Sequence, residues 1–197
     1  HLRQLVQKLN HRAPVVRQVV HTPRLASSVQ AVDMLQEPRP FLIGERLNTQ
    51  GSRAFKEMIL KDDFEGALTI ASKQIESGAH GLDLNVALTE RPEEAELMVR
   101  LIKTLAPTAR VPFIIDTTEP DVMEAALKAA PGRYLLNSTH LESGRVKADR
   151  VFELAVKYNA AVLVLTGLGL GWSSGEQLAR RDAQARYVAA VAPNALR

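Results

Sequence analysis

At 197 residues the chain has room for one domain with a sizeable core, and 46% apolar with 24% charged residues is the make-up of an ordinary folded globular protein. No run of about 18 apolar residues occurs, which excludes a membrane-spanning helix, and the absence of cysteine excludes a disulfide framework and any thiolate metal site within these residues. The net charge of +3 is unevenly placed, with six Lys or Arg against two Asp or Glu in residues 1–40 and 19 against 20 in the remainder, so the main body lacks the basic stripe of a nucleic-acid binder.

The start, His1-Leu2-Arg3-Gln4, has neither an initiator Met nor a basic-then-apolar leader, so the chain is expected to begin inside a longer protein and to lie in the cytoplasm. Leu2, Leu5, Val6 and Leu9 share one helix face and read as the end of a helix. From Asn10 to Pro40 the periodicity is lost and Pro14, Pro23, Pro38 and Pro40 interrupt the segment, which reads as a partly extended linker on a surface. Phe41-Leu42-Ile43-Gly44 reads as a first strand, followed by a polar loop, Glu45 to Arg53, in which Ser52 is placed to cap a helix.

A helix from about Phe64 carries Leu68, Ala71 and Ile75 and stops at Gly78. Gly81-Leu82-Asp83-Leu84-Asn85-Val86 follows as a second strand, and Pro92-Glu93-Glu94 opens a helix with the stripe Leu97, Leu101, Ile102 and Leu105. Phe113-Ile114-Ile115-Asp116 and Tyr134-Leu135-Leu136-Asn137-Ser138 are apolar runs closing on a polar residue, joined by a helix from Pro120 to Ala130 that Pro131-Gly132 ends. A helix over 146–158 leads to a fifth strand, Ala161 to Thr166. The glycine-rich stretch 167–175 reads as a turn rather than a phosphate cradle, since no Gly-Lys-Ser/Thr follows, and Glu176 to Val191 as one helix.

Strand and helix alternate throughout, which means an α/β fold with a parallel sheet. Asn48, Asn85, Asp116 and Asn137 stand at or just past four strand ends, as in a (β/α)8 barrel whose site is built from several strands at one face. A doubly wound dinucleotide fold would carry a G-x-G-x-x-G turn after its first strand, and Gly44 to Gly51 does not. Five βα units of the barrel are visible, so the expected architecture is an incomplete barrel over 41–197, with 167–197 unassigned, preceded by an end helix and linker over 1–40. Simpler roles compete for each polar residue. Asp116 can cap the following helix, Glu45 and Arg46 can form an ion pair, and Asp83 is open to the same structural role. His80 and His140 have no second ligand at metal spacing and read as loop residues.

Gly44-Glu45-Arg46-Leu47-Asn48, Leu82-Asp83-Leu84-Asn85, Ile115-Asp116-Thr117-Thr118 and Leu136-Asn137-Ser138, in this order and spacing, resemble the pterin-binding methyltetrahydrofolate methyltransferases. The forty residues before the Gly-Glu-Arg strand make the multidomain, cobalamin-dependent kind the better match. The resemblance covers about Phe41 to Thr166. It implies a barrel that binds 5-methyltetrahydrofolate and presents its N5-methyl group to cob(I)alamin in methionine synthesis. By the same resemblance the cobalamin is held by another domain and zinc by an upstream homocysteine-binding domain, with no metal in this chain. The implied folate-binding residues are Asp116 and Asn137 on the pterin ring, Asp83 and Asn85 from the second strand, and Asn48, Gly51, Ser52 and Arg53 at the border. No catalytic residue is assigned, because the family's further Asp and Asn come from later strands. The alternatives are a corrinoid-protein methyltransferase, a dihydropteroate synthase-like barrel, which the missing Asn-x-Thr-Pro-Asp-Ser-Phe loop disfavours, and a non-catalytic docking module.

Overall fold

A computed structural model describes residues 1–10, 12, 22–141 and 145–165. Thr166, the expected glycine-rich turn over 167–175 and the expected tail helix lie outside the described residues, as does most of the stretch 11–21. The elements begin with α1 (Leu2–Leu9), β1 (Arg24–Ala26) and β2 (Ala31–Asp33). Then come β3 (Ile43–Asn48), α2 (Arg53–Leu60), α3 (Phe64–Glu76), β4 (Gly81–Asn85) and α4 (Glu94–Leu105). The last are β5 (Phe113–Asp116), α5 (Pro120–Ala129), β6 (Leu135–Thr139), α6 (Arg145–Tyr158) and β7 (Ala161–Val164).

Strands β3 to β7 pair in chain order, all parallel. Period-two alternation sends Leu47, Leu82, Leu84, Phe113, Ile115, Tyr134 and Leu136 to one face, where they pack with the stripes of α2 to α6 in the main core. Helix α4 contributes most to that core, burying Leu97, Met98, Leu101, Ile102 and Leu105, each worth roughly 2 kcal/mol of apolar transfer. The opposite face carries no helix among the described residues. It holds a second cluster of Leu25, Ile114 and Leu135, with Met34, Phe41 and Ala161 against it. Helices packed on one face only mark a barrel wall rather than a doubly wound sheet, which carries helices on both. Among the described residues the wall is open, with β3 and β7 at its edges, and Leu163 in β7 and Leu165 just past it stand 42% and 45% exposed.

Two expectations change. The first strand does not stop at Gly44 but runs on to Asn48, so most of the expected polar loop is strand; the Ser52 cap holds, accepting the Phe55 N–H at 3.3 Å to open α2. The expected extended linker contains instead a β-hairpin, β1 and β2, paired antiparallel and packed on the base of the barrel. Its anchor is Leu25, fully buried against Ile114 and Leu135. Polar ties fix it further: Ser27 Oγ donates to the Arg110 carbonyl at 3.0 Å, Ser28 Oγ to Ala106 at 3.0 Å, and Arg133 Nη1 to Arg24 at 2.7 Å. Gly132 permits this approach, since a Cβ there would stand 2.4 Å from the Tyr134 ring and 2.8 Å from the Ala26 carbonyl oxygen. His80 has a structural job at the same end, with Nδ1 accepting the Leu42 N–H at 2.9 Å. Helix α1 buries none of its residues.

Candidate functional site

The register lines up one polar row across the strand ends. Asn48 pairs with Asn85, and Asp116 with Asn137, while Leu84 opposite Ile115 puts Asn85 level with Asp116. These four side chains share the interior face, one layer above Ile114 and Leu135, and Asp83 stands in that lower layer opposite Ile114. The apolar floor and hairpin plug lie beneath, so the polar row is the interior's upper lining.

Hydrogen bonds tie the row together. Asn48 Nδ2 donates to Asp83 Oδ2 at 2.8 Å and to Asp116 Oδ2 at 2.9 Å, bridging the two carboxylates. Asn85 Nδ2 reaches the same Asp116 oxygen at 3.1 Å. The Asn137 amide stands close enough to Asp83 to favour its charged form. The amides are themselves oriented: Gln50 N–H donates to Asn48 Oδ1 at 2.9 Å, and Asn85 Oδ1 accepts from Thr49 Oγ1 and the Ala87 N–H, both at 3.0 Å. Asp116 does not cap the next helix; α5 has Glu119 at its N-cap with no side-chain capping bond.

Not every expected residue joins the cluster. Ser52 is used as the α2 cap, and Gly51 is an exposed turn residue. The Arg53 side chain, 92% exposed, turns outward to pair with Glu57 at 3.0 Å, because the first turn of α2 points it away from the strand ends. The Glu45–Arg46 ion pair is not among the ion pairs of the described residues. Thr49, buried and fixing Asn85, is a member that strand-end reasoning missed; its signal was a polar residue directly after Asn48. Among the described residues no group of three or more His, Asp or Glu could hold a metal ion.

Asp83 is 5% exposed. Its pKa is raised from the usual 3.8 to about 6, first because burial strips water from the charged form, then because Asp116 and Glu45 repel it, against the lowering effect of the Asn48 and Asn137 amides. Between those two values the folded chain keeps a proton that the unfolded chain has released. The stabilising contribution is therefore whole below about pH 3.8, declines as pH rises to about 6, and is absent above, a swing of up to roughly 3 kcal/mol. Asp83→Asn is expected to flatten this slope in urea midpoints recorded against pH; a slope unchanged by the substitution would place the proton on another group.

A shallow cleft of about 250 Å³ beside the row, lined by Gln50, Leu88, Arg91 and Glu94 among others, opens from the loop after β4. Arg91 there is engaged with Glu93 and, at 3.4 Å, with Asp62.

Comparison with known proteins identifies the family and the fold. The family described as pterin binding enzyme matches residues 44–186. Methionine synthase from Mycobacterium leprae is 36% identical over 153 residues, 76% of this chain and 13% of the relative. Methionine synthase from Mycobacterium tuberculosis is 33% identical over 169 residues, 84% of this chain and 14% of the relative. The chain thus spans only 13–14% of the length of these curated relatives. Among solved structures, dihydropteroate synthase from Thermus thermophilus superposes with a TM-score of 0.56 at 24% identity, covering 86% of this chain and 61% of that one. The Xanthomonas albilineans enzyme in complex with 7,8-dihydropteroate gives 0.62 at 20% identity, covering 89% and 62%. Coverage near three-fifths of those chains is close to the share that five of eight barrel strands make up. The chain belongs to the pterin binding enzyme family, as an incomplete (β/α)8 barrel similar in sequence to methionine synthases.

Proposed function

We propose that the polar row binds the pterin ring of 5-methyltetrahydrofolate and, in the full-length enzyme, presents its N5-methyl group for transfer to cob(I)alamin and on to homocysteine. The observation that carries this reading is the pair of carboxylates, Asp83 and Asp116, whose hydrogen bonds come from the amides of Asn48 and Asn85, with Asn137 opposite Asp116 in the register. A pterin's aminopyrimidinone edge offers adjacent N–H donors, and carboxylates accept these with charge-assisted geometry while amides beside them both donate and accept. Asp116 and Asn137 are the assigned ring contacts, with Asn48, Asp83 and Asn85 around them.

The chain's own residues hold and orient the ring and keep its reacting face clear of the apolar floor. The methyl leaves a tertiary amine, so N5 needs a proton or a hydrogen bond as the bond breaks, and a site that favours that state over the ground state accelerates transfer. Cobalamin, carried by another domain, supplies the nucleophilic cobalt; zinc belongs to the homocysteine-binding domain. The barrel unit is drawn from the hairpin onward, and α1, with Leu2, Leu5, Val6 and Leu9 all exposed, fits the end of an upstream domain.

The full-length protein should demethylate 5-methyltetrahydrofolate in a single turnover with cob(I)alamin, followed by the cobalamin spectrum. Condensation of a dihydropterin pyrophosphate with 4-aminobenzoate would transfer the reading to dihydropteroate synthesis, and folate binding without demethylation would leave a docking module.

A further inference from the structure

The β3 strand leaves regular pairing beside the pocket, and the group that holds the departure comes from the helix side of the sheet. Gly44 pairs with Leu82 and Leu47 with Leu84, so two residues, Glu45 and Arg46, span the single residue Asp83 in a β-bulge. The bulge decides which way Asn48 faces. With regular pairing from Gly44 onward, Asn48 would fall opposite Val86, which lies in the helix-side core; the extra residue puts it opposite Asn85 instead. A bulge also frees a backbone N–H from the ladder, and here the Arg46 N–H donates to Gln74 Oε1 of α3 at 2.8 Å. Gln74 reaches it because residue 44 is glycine: a Cβ there would stand 2.6 Å from Gln74 Oε1 and 2.9 Å from its Cδ. The other end of the amide, Nε2, is buried without a hydrogen-bond partner among the described residues. An unpaired buried donor is costly, so the side chain is kept here by what its oxygen does.

We propose that Gln74 is a positioning residue for the pterin pocket: from outside the barrel it fixes the β3 bulge that sets Asn48 in the polar row, where its amide bridges Asp83 and Asp116. Gln74 touches no ligand; it acts through β3. Four groups bear on Asp83, namely Asn48 and Glu45 from β3, Asp116 from β5 and Asn137 from β6, and two of them come from the strand that Gln74 controls. The ligand in this inference is taken from the pterin reading, whereas the bulge stands on geometry alone.

The test uses the full-length protein with Gln74→Met, which removes the acceptor at similar size, and Gly44→Ala, which pushes the side chain off the strand. Each variant is expected to bind 5-methyltetrahydrofolate about tenfold more weakly at unchanged stoichiometry in calorimetry, since small misplacements of a binding group are felt strongly. The double variant should be no weaker than the worse single, because both act on one contact. The Asp83 carboxyl titration, read as an infrared difference against Asp83→Asn, should move to higher pH, because the lost Asn48 hydrogen bond, which lowers it, outweighs the lost Glu45 repulsion. Wild-type affinity and wild-type midpoint in both variants, even with a lowered melting temperature, would make Gln74 a packing residue and overturn the proposal; so would independent, additive losses. If the parent binds no folate, the pterin reading fails, and the infrared midpoint alone still decides whether Gln74 governs Asp83.

Discussion

In the full-length protein, Asp116→Asn weakens binding of 5-methyltetrahydrofolate by about a hundredfold while the melting temperature stays close to that of the parent. Asn48 and Asn85 both donate to one oxygen of Asp116, Oδ2. An asparagine at 116 can present its single oxygen to those two amides and keep the row in place. What it loses is the charge and the second acceptor, which in the proposed complex faces the N–H donors of the pterin. Two charge-assisted hydrogen bonds are each worth about 1.5–3 kcal/mol, and the loss of even the lower value from both exceeds a factor of a hundred. The substitution also removes a like charge that pushes Asp83 upward, so the span of pH over which stability declines should narrow. Calorimetry on the parent and the variant reads the first effect. An affinity within a factor of three of the parent removes Asp116 from the pocket.

The second large effect concerns folding. Leu25→Ala is expected to cost about 2–5 kcal/mol and to lower the melting transition of the barrel by roughly 5–15 °C. Leu25 is fully buried and fills the base of the barrel between Ile114 and Leu135, so truncating it opens a cavity that the strands on either side cannot close. Val29, in the turn of the same hairpin and 65% exposed, provides the contrast: Val29→Ala should change stability by less than about 0.5 kcal/mol. Equal melting temperatures for the two variants would return the hairpin to the status of a surface linker.

The hairpin is also the clearest case of what the amino-acid pattern conceals. Its strands are three residues long, Arg24-Leu25-Ala26 and Ala31-Val32-Asp33, too short for alternation to register, and they lie in a stretch punctuated by prolines. Only Leu25 is fully buried, and a lone leucine carries no periodicity. The barrel strands were legible for the opposite reason. Phe113 to Asp116 and Leu135 to Asn137 are apolar runs ending on a polar residue, and burial on both faces of a parallel strand demands that composition. Asn85, Asp116 and Asn137 follow from the same rule, since strand ends of a barrel share one face, and the structure brings all three to a single layer.

The β3 strand falls between these cases. Its polar residues Glu45, Arg46 and Asn48 read as a loop, because a strand with a bulge loses strict alternation and because the freed Arg46 N–H is taken up by Gln74, distant in sequence on α3. No local pattern reports such a tertiary tie. Arg53 illustrates the reverse case: the family resemblance set it at the pocket border, whereas the N-cap at Ser52 starts a helix whose first residue points outward.

The most direct measurement is a crystal structure of the full-length protein with 5-methyltetrahydrofolate bound. The expected result is a pterin whose aminopyrimidinone edge lies within hydrogen-bond distance of Asp116 and Asn137, above the layer of Ile114 and Leu135. A folate seated instead in the cleft lined by Gln50, Leu88 and Arg91, with the row of Asn48, Asn85, Asp116 and Asn137 free of ligand, would contradict it.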